Sequence, residues 1–335
     1  MSIVRISLIA TCLSMVLGCT AAPFAISNQP AGSIIRLDPA FDLLVPGGAV
    51  IEKVADGFEF IEGPVWMSGR LLFSDIPANT VYSWSPDQGT EVFLQPVLEP
   101  DWGTGGTGGS NGLARDPAGN LILCEHGNRR VARMNSDGSR TTLADRYDGG
   151  RLNSPNDIVF HSTGAAFFTD PPYGLPELEA SPAREQAHNG IYRLDVDGTV
   201  TLLAEQTRPN GIGLSPDERI LYVANSAEAP NRLWMAYPVL DDLSLGEGSV
   251  FYDASTMQAT GVPDGLTLDR AGNIYAAGPG GVMVFNSAGK HLGTIAPDEQ
   301  PANAGWGDDG KTLYMTARTG LYRIALNAAG LVYRD

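Results

Sequence analysis

The stretch "RPNGIGLSPDERILYV" at 208–223 nearly returns as "VPDGLTLDRAGNIYAA" at 262–277. Each copy holds Pro, a polar amide or acid, Gly, an apolar run, an Asp-bearing turn and a second apolar run, the pattern of an antiparallel hairpin. Further copies stand at "EGPVWMSGRLLFSD" (62–75), "NGLARDPAGNLILCE" (111–125), "NDIVFHSTGAAFFTD" (156–170) and, more weakly, "AGWGDDGKTLYMTA" (304–317). Aligned on Glu62, Asn111, Asn156, Asn210, Asp264 and Ala304, they recur every 40 to 54 residues, the length of a propeller blade. A third strand follows most copies, as in "GIYRLDVDG" (190–198), and then a short apolar fourth, as in "VTLLAE" (200–205). The pattern predicts an all-β fold, a six-bladed β-propeller with four-stranded antiparallel blades around a central channel. The lone early strand "IEKVADGF" (51–58) has no hairpin of its own. It is expected to complete the sixth blade beside the C-terminal strands and so close the ring. Helical periodicity is confined to 176–187.

Composition narrows the function. Of 335 residues, 43% are hydrophobic and 18% charged, ordinary for a soluble globular protein, and 40 Gly with 23 Pro suit many tight turns. A net charge of −16 argues against nucleic acid as a partner, because phosphate backbones are held by Lys and Arg. Cations and neutral polar molecules are the expected ligands, and no obligate protein partner is indicated. At the N-terminus, Arg5 precedes an apolar run from Ile6 to Leu17 that is too short to span a bilayer, which reads as a signal peptide. It ends in Val16-Leu17-Gly18-Cys19, which resembles a bacterial lipobox. The expected organisation is a lipoprotein signal peptide at 1–18, a lipidated Cys19, a tether at 19–49 and a propeller domain at 50–335. The protein is then periplasmic and meets the membrane only through its lipid; the alternative is cleavage near Ala21 or Ala22 and soluble export. With Cys12 removed and Cys19 lipidated, Cys124 is left alone, so stability must come from packing rather than a disulfide.

The first strand of each blade lines the axis, so the aligned residue stands at an equivalent place in every blade. Singly, an Asn or Asp before Gly is an ordinary turn residue. Together, Glu62, Asn111, Asn156, Asn210 and Asp264 bring side-chain oxygens to one end of the channel, and Glu62 is no turn residue. Converging carboxylates and amides call for a hard cation, and the flexible geometry suits Ca²⁺ better than Mg²⁺. Zinc is disfavoured, because His126, His161, His188 and His291 show no ligand spacing. "GGSNG" (108–112) and "GTGGTG" (103–108) mimic a nucleophile elbow and a dinucleotide loop, but neither has the flanking strand and helix those sites need.

The motifs "EGPVW" (62–66), "NSPND" (153–157), "FTDPPYG" (168–174), "RPNG" (208–211) and "PDG" (263–265) resemble the gluconolactonase/regucalcin (senescence marker protein) family over residues 50–330. "CEHGNRR" (124–130) resembles its bacterial gluconolactonase branch. The resemblance implies metal-dependent hydrolysis of a sugar-acid lactone, with the divalent ion on Glu62, Asn210 and Asp264, and on Asn156 in members that use it. The metal would polarise the carbonyl while Asp264 activates water; His126 is a second candidate base, against its reading as a satisfied polar residue at a strand end. Asn111, Tyr173 and Trp102 are the expected substrate contacts, with Trp66 reading rather as blade core. Loops 97–110 and 174–189 are long enough to act as lids. In one departure, Ser154 and Pro155 stand where regucalcin-like members carry a substrate-binding Arg. Hydrolysis of another ester or an organophosphate at the same metal, and a non-catalytic binding propeller, are the competing functions.

Overall fold

The computed structural model describes residues 30–99, 103–307 and 310–331. Six antiparallel sheets stand around one axis, each with its first strand innermost. In blade 1 the strands are Ile61–Met67, Arg70–Asp75, Thr80–Ser85 and Gly89–Leu94, and blades 2 to 4 repeat this order from Ser110, Ile158 and Pro209. Blade 6 is built from Asn303–Gly307, Thr312–Ala317 and Gly320–Ala325, with Glu52–Asp56 as its outermost strand. The early strand therefore closes the ring as its lack of a hairpin partner suggests. Apolar side chains pack between neighbouring blades in six clusters, because each sheet is apolar on both faces and must bury them against the next. Cys124 is buried in the cluster between blades 2 and 3 and is unpaired.

The expected tether is corrected from about residue 31 onward. Gly32–Arg36 adds a fifth strand to blade 5, pairing antiparallel with His291–Pro297 from Gly32 opposite Pro297 to Arg36 opposite Gly293. A short helix, Phe41–Leu44, follows, and Phe41 and Val45 are fully buried against Tyr275, Leu292 and Ile324. Arg36 locks the turn by donating to Val45 O and Pro46 O, at 3.0 and 2.7 Å. The physical reason is twofold: the apolar pair Phe41 and Val45 gains by burial, and the outer strand of blade 5 offers an unpaired edge. The folded domain thus begins some twenty residues before the expected boundary of 50. The lipobox and Cys19 lie outside the described residues. In place of the helical periodicity at 176–187 there is one 3₁₀ turn, Leu178–Ala180.

If this segment is part of the core, Phe41→Ala removes a fully buried ring and costs about 3–5 kcal/mol. Urea denaturation is expected to show one cooperative transition at a lower midpoint with an unchanged m value. A midpoint equal to the wild type's would make the segment a tether after all.

Candidate functional site

All the aligned residues stand where the first strands begin, at one end of the axis. In blades 1, 2 and 4 the ladder between first and second strands slips a residue there, between Glu62 and Val65, Ser110 and Leu113, and Pro209 and Ile212. Such bulges re-aim side chains without breaking the sheet. The Gly that follows the polar residue in blades 1, 2, 4 and 5 has a steric cause. A Cβ on Gly63, which holds φ +56°, would lie 2.3 Å from Asn111 O, and one on Gly211 would lie 2.4 Å from Asp264 O. Neighbouring blades touch backbone to backbone at these points, and only glycine fits. Hydroxyls from the second strands hold the contact: Ser74 donates to Asn111 O (2.8 Å), Thr169 to Asn210 O (2.7 Å) and Ser226 to Pro263 O.

The sixth position departs from the alignment. Ala302 N donates to Thr316 O as Asn156 N does to Thr169 O and Asp264 N to Ala277 O, so Ala302, not Ala304, is the equivalent residue. The next residue, Asn303, reaches across and donates from Nδ2 to Glu62 Oε2 at 2.9 Å. The same carboxylate oxygen accepts from Gly63 N at 2.8 Å. Asp157 occupies the matching place in blade 3, its carboxylate accepting from Ile158 N and Ile212 N. Neither Asn303 nor Asp157 stands out in the sequence as a site residue; the signal was their polar side chain at a position that is Gly in the other blades.

The electrostatics of this ring are those of carboxylates lacking a counter-charge. Burial raises the Glu62 carboxyl, against the bonds from Asn303 and Gly63. Asp264 is raised well above its ordinary range by burial and then by Glu62, while bonds from Gly265 N and Asn210 oppose the shift. Asp157 is pushed up to about 7 by burial, with Glu62 adding to it. Among the described residues no Lys or Arg pairs with Glu62 or Asp264. Asp264 Oδ1 and the side-chain nitrogen of Asn156 are buried without partners. Glu62, Asn156, Asn210 and Asp264 therefore fit a hard divalent cation by an all-oxygen donor set and an orphaned carboxylate oxygen. Among the described residues no trio of His, Cys, Asp and Glu converges, so two carboxylates and amide oxygens would do the holding.

Tyr173 lies over this ring. Its side chain hydrogen-bonds those of Asn210 and Ser226, burial lifts its hydroxyl to about 12, and the Arg208 guanidinium sits 5.8 Å above the ring plane's centre. Asn111 is buried at its ring position. His126 is buried beside Gly174 and Ser154, with Nε2 unpartnered, and burial lowers its imidazole to about 4. Trp102 lies outside the described residues. Trp66 stacks on Tyr314 at 5.7 Å and belongs to the packing between blades 6 and 1. The serine of "GGSNG", Ser110, is buried and its hydroxyl meets that of Ser74 at 2.7 Å. Both long loops stand at this end and are joined, Thr107 N donating to Gly174 O at 2.7 Å. Beyond the ring, a cavity of about 400 Å³ continues along the axis to the opposite face, between Val65, Leu113, Ile212, Leu266 and Trp306. Its wall mixes these apolar side chains with Arg115, Asp157, Glu218, Arg270 and Asn303.

The SMP-30/Gluconolactonase/LRE-like region matches residues 60–319. A gluconolactonase of Zymomonas mobilis is 36% identical over 325 residues, covering 92% of this chain and 90% of its own. A solved gluconolactonase from Xanthomonas campestris superposes with a TM-score of 0.79 at 30% identity, over 92% of this chain and all of that one. A calcium-binding regucalcin from Agrobacterium tumefaciens shares the fold, with a TM-score of 0.66 at 21% identity over 84% of this chain and 97% of that one.

The raised carboxyls set a pH dependence. A carboxyl raised by folding holds its proton in the native state and not in the unfolded chain between its two pKa values, so the metal-free fold loses stability as pH rises through that window. For Asp157 the window runs from the ordinary 3.8 to about 7. A cation that replaces the protons removes this penalty. The rise in melting temperature on adding Ca²⁺ is therefore expected to be small at pH 5 and to grow toward pH 8. Differential scanning calorimetry with and without Ca²⁺ checks this, and a shift independent of pH contradicts it.

Proposed function

Because the chain belongs to the SMP-30/gluconolactonase/LRE-like family, we propose that it hydrolyses a sugar-acid lactone with the help of a divalent cation, Ca²⁺. Glu62, Asn156, Asn210 and Asp264 would hold the ion. When bound, it supplies Lewis-acid polarisation of the lactone carbonyl and stabilises the charge that develops on its oxygen. The observation that carries the reading is Asp264: a carboxylate with one buried, unpartnered oxygen, beside a second carboxylate and under a tyrosine hydroxyl. Asp264 takes a proton from water as the water oxygen bonds to the carbonyl carbon; the ring C–O bond then breaks and the alkoxide oxygen regains a proton, leaving the open hydroxy acid. Tyr173 and Asn111 border the place where the sugar ring must lie. His126, neutral at pH 7 because burial holds it near 4, offers a hydrogen-bond acceptor rather than a strong base.

Hydrolysis of gluconolactone, followed by acid release, is expected to vanish with EDTA and return with Ca²⁺. Asp264→Asn, which keeps the shape and removes the base, is expected to lower kcat by roughly 100-fold or more. Full activity in that variant would move the base elsewhere. If Ca²⁺ raises the melting temperature while no lactone is hydrolysed, the protein is a metal-stabilised binding propeller and the enzymatic reading fails.

The proposal extends to location: a periplasmic protein held to the membrane by a lipid on Cys19. Palmitate labelling is expected to mark the wild type and not Cys19→Ser, and the variant is expected to partition into the soluble periplasmic fraction. Equal partitioning of the two would leave soluble export as the route.

A further inference from the structure

The motif "CEHGNRR" holds more than a candidate histidine. Arg129 stands in the turn after the second strand of blade 2, with φ +55° and a side chain only 1% exposed. Its guanidinium reaches three separate stretches of chain. Nε donates to Leu152 O (2.8 Å) and Asn153 O (3.2 Å), and Nη1 donates to Thr104 O (3.0 Å) and Ala183 O (2.8 Å). Among the described residues no carboxylate accepts from it within hydrogen-bond distance; Glu185, largely open to solvent, approaches Nη1 to 3.7 Å. A cation taken out of water and held almost wholly by backbone carbonyls is costly to bury and strongly directional once buried. Apolar packing would hold these loops without fixing their mutual orientation, whereas a planar guanidinium fixes both.

The three stretches lead straight to the ring. Thr104 and Ala183 belong to the two long loops, which meet where Thr107 N donates to Gly174 O at 2.7 Å. Gly174 N in turn donates to Ser154 Oγ at 2.8 Å, and Ser154 Oγ to Pro171 O at 2.6 Å. Gly174 follows Tyr173, which bonds Asn210, and Ser154 precedes Asn156 by two residues. We propose that Arg129 is a positioning residue: it clamps the loop at 103–109, the approach to Asn156 and the insertion at 171–189 into one unit, so that Tyr173 and Asn156 stand preformed around the lactone. Arg129 itself touches no substrate. The inference rests on the lactone-hydrolase reading, and one arm of its test does not.

Glycine is at ease at φ +55°, so Arg129→Gly removes the guanidinium without straining the turn. Displacing site groups by about 1 Å costs roughly 100-fold, and kcat/KM for gluconolactone is expected to fall by that order, mostly through KM. Millimolar guanidinium, far below denaturing concentration, is expected to restore part of the loss in the variant and nothing in the wild type. Hydrogen exchange in the same samples is expected to rise at 103–109 and 171–189 and not in the blade strands. Arg129→Lys, which keeps the charge but cannot span four carbonyls, is expected to behave like the glycine variant without guanidinium rescue. Unchanged kcat/KM in both variants, or a loss with no rise in exchange in the two loops, overturns the proposal. Should the wild type hydrolyse no lactone, the functional reading fails while the exchange measurement still decides the clamp.

Discussion

Two carboxylates, Glu62 and Asp264, are buried within each other's field, and what surrounds them is other carboxylates, amides and backbone N–H groups rather than Lys or Arg. That arrangement is unfavourable by itself, and the fold is what enforces it. The first strands converge so closely that their backbones nearly touch, which demands Gly beside the ring residues of blades 1, 2 and 4 and leaves the polar side chains only the axis to occupy. The hydroxyls of Ser74, Thr169 and Ser226 then pin three of the six junctions between neighbouring blades, which opposes relaxation by spreading. Such a ring is eased by holding protons or, in the reading proposed above, by the charge of a divalent ion.

The propeller was legible because its repeat is written in steric terms. An acid or amide before Gly, then an apolar run, a turn and a second run, recurs wherever a strand must both approach its neighbour and line the axis. The closing strand was legible by elimination, as a strand with no hairpin. The N-terminal segment was not: "GSIIR" pairs with a sheet edge through backbone atoms, which leaves little side-chain signature, and Phe41 and Val45 are too few to show a period. Its burial depends on a groove that exists only once blades 5 and 6 have formed.

The site was legible to the same degree and for the same reason. Glu62, Asn156, Asn210 and Asp264 shared a repeat position, and the structure brings them to one end of the axis. Asn303 escaped because the weak sixth copy slips by two residues against the ladder, and the residue that supports Glu62 is not in the ring position but one beyond it. Arg129 escaped for a deeper reason. Its partners are carbonyls from residues 104, 152, 153 and 183, and backbone acceptors carry no sequence signal at all.

The two ends of the axis then divide the labour. One opens into a cavity whose apolar strand residues are interspersed with Arg115, Asp157, Glu218 and Arg270. The other holds every unpartnered polar atom of the ring and is roofed by loops joined through Thr107 and Gly174. The proposed lactone would meet Tyr173 and Arg208 at the second. The ring supplies charge, and the roof, tied together by the buried Arg129, supplies orientation in the arrangement proposed above. Asp157 and Asn303 stand between the two compartments, at positions glycine fills in other blades. Both also line the cavity beyond the ring, and through Asp157 and the Asn303–Glu62 bond the electrostatics of the ring extend to that end of the axis.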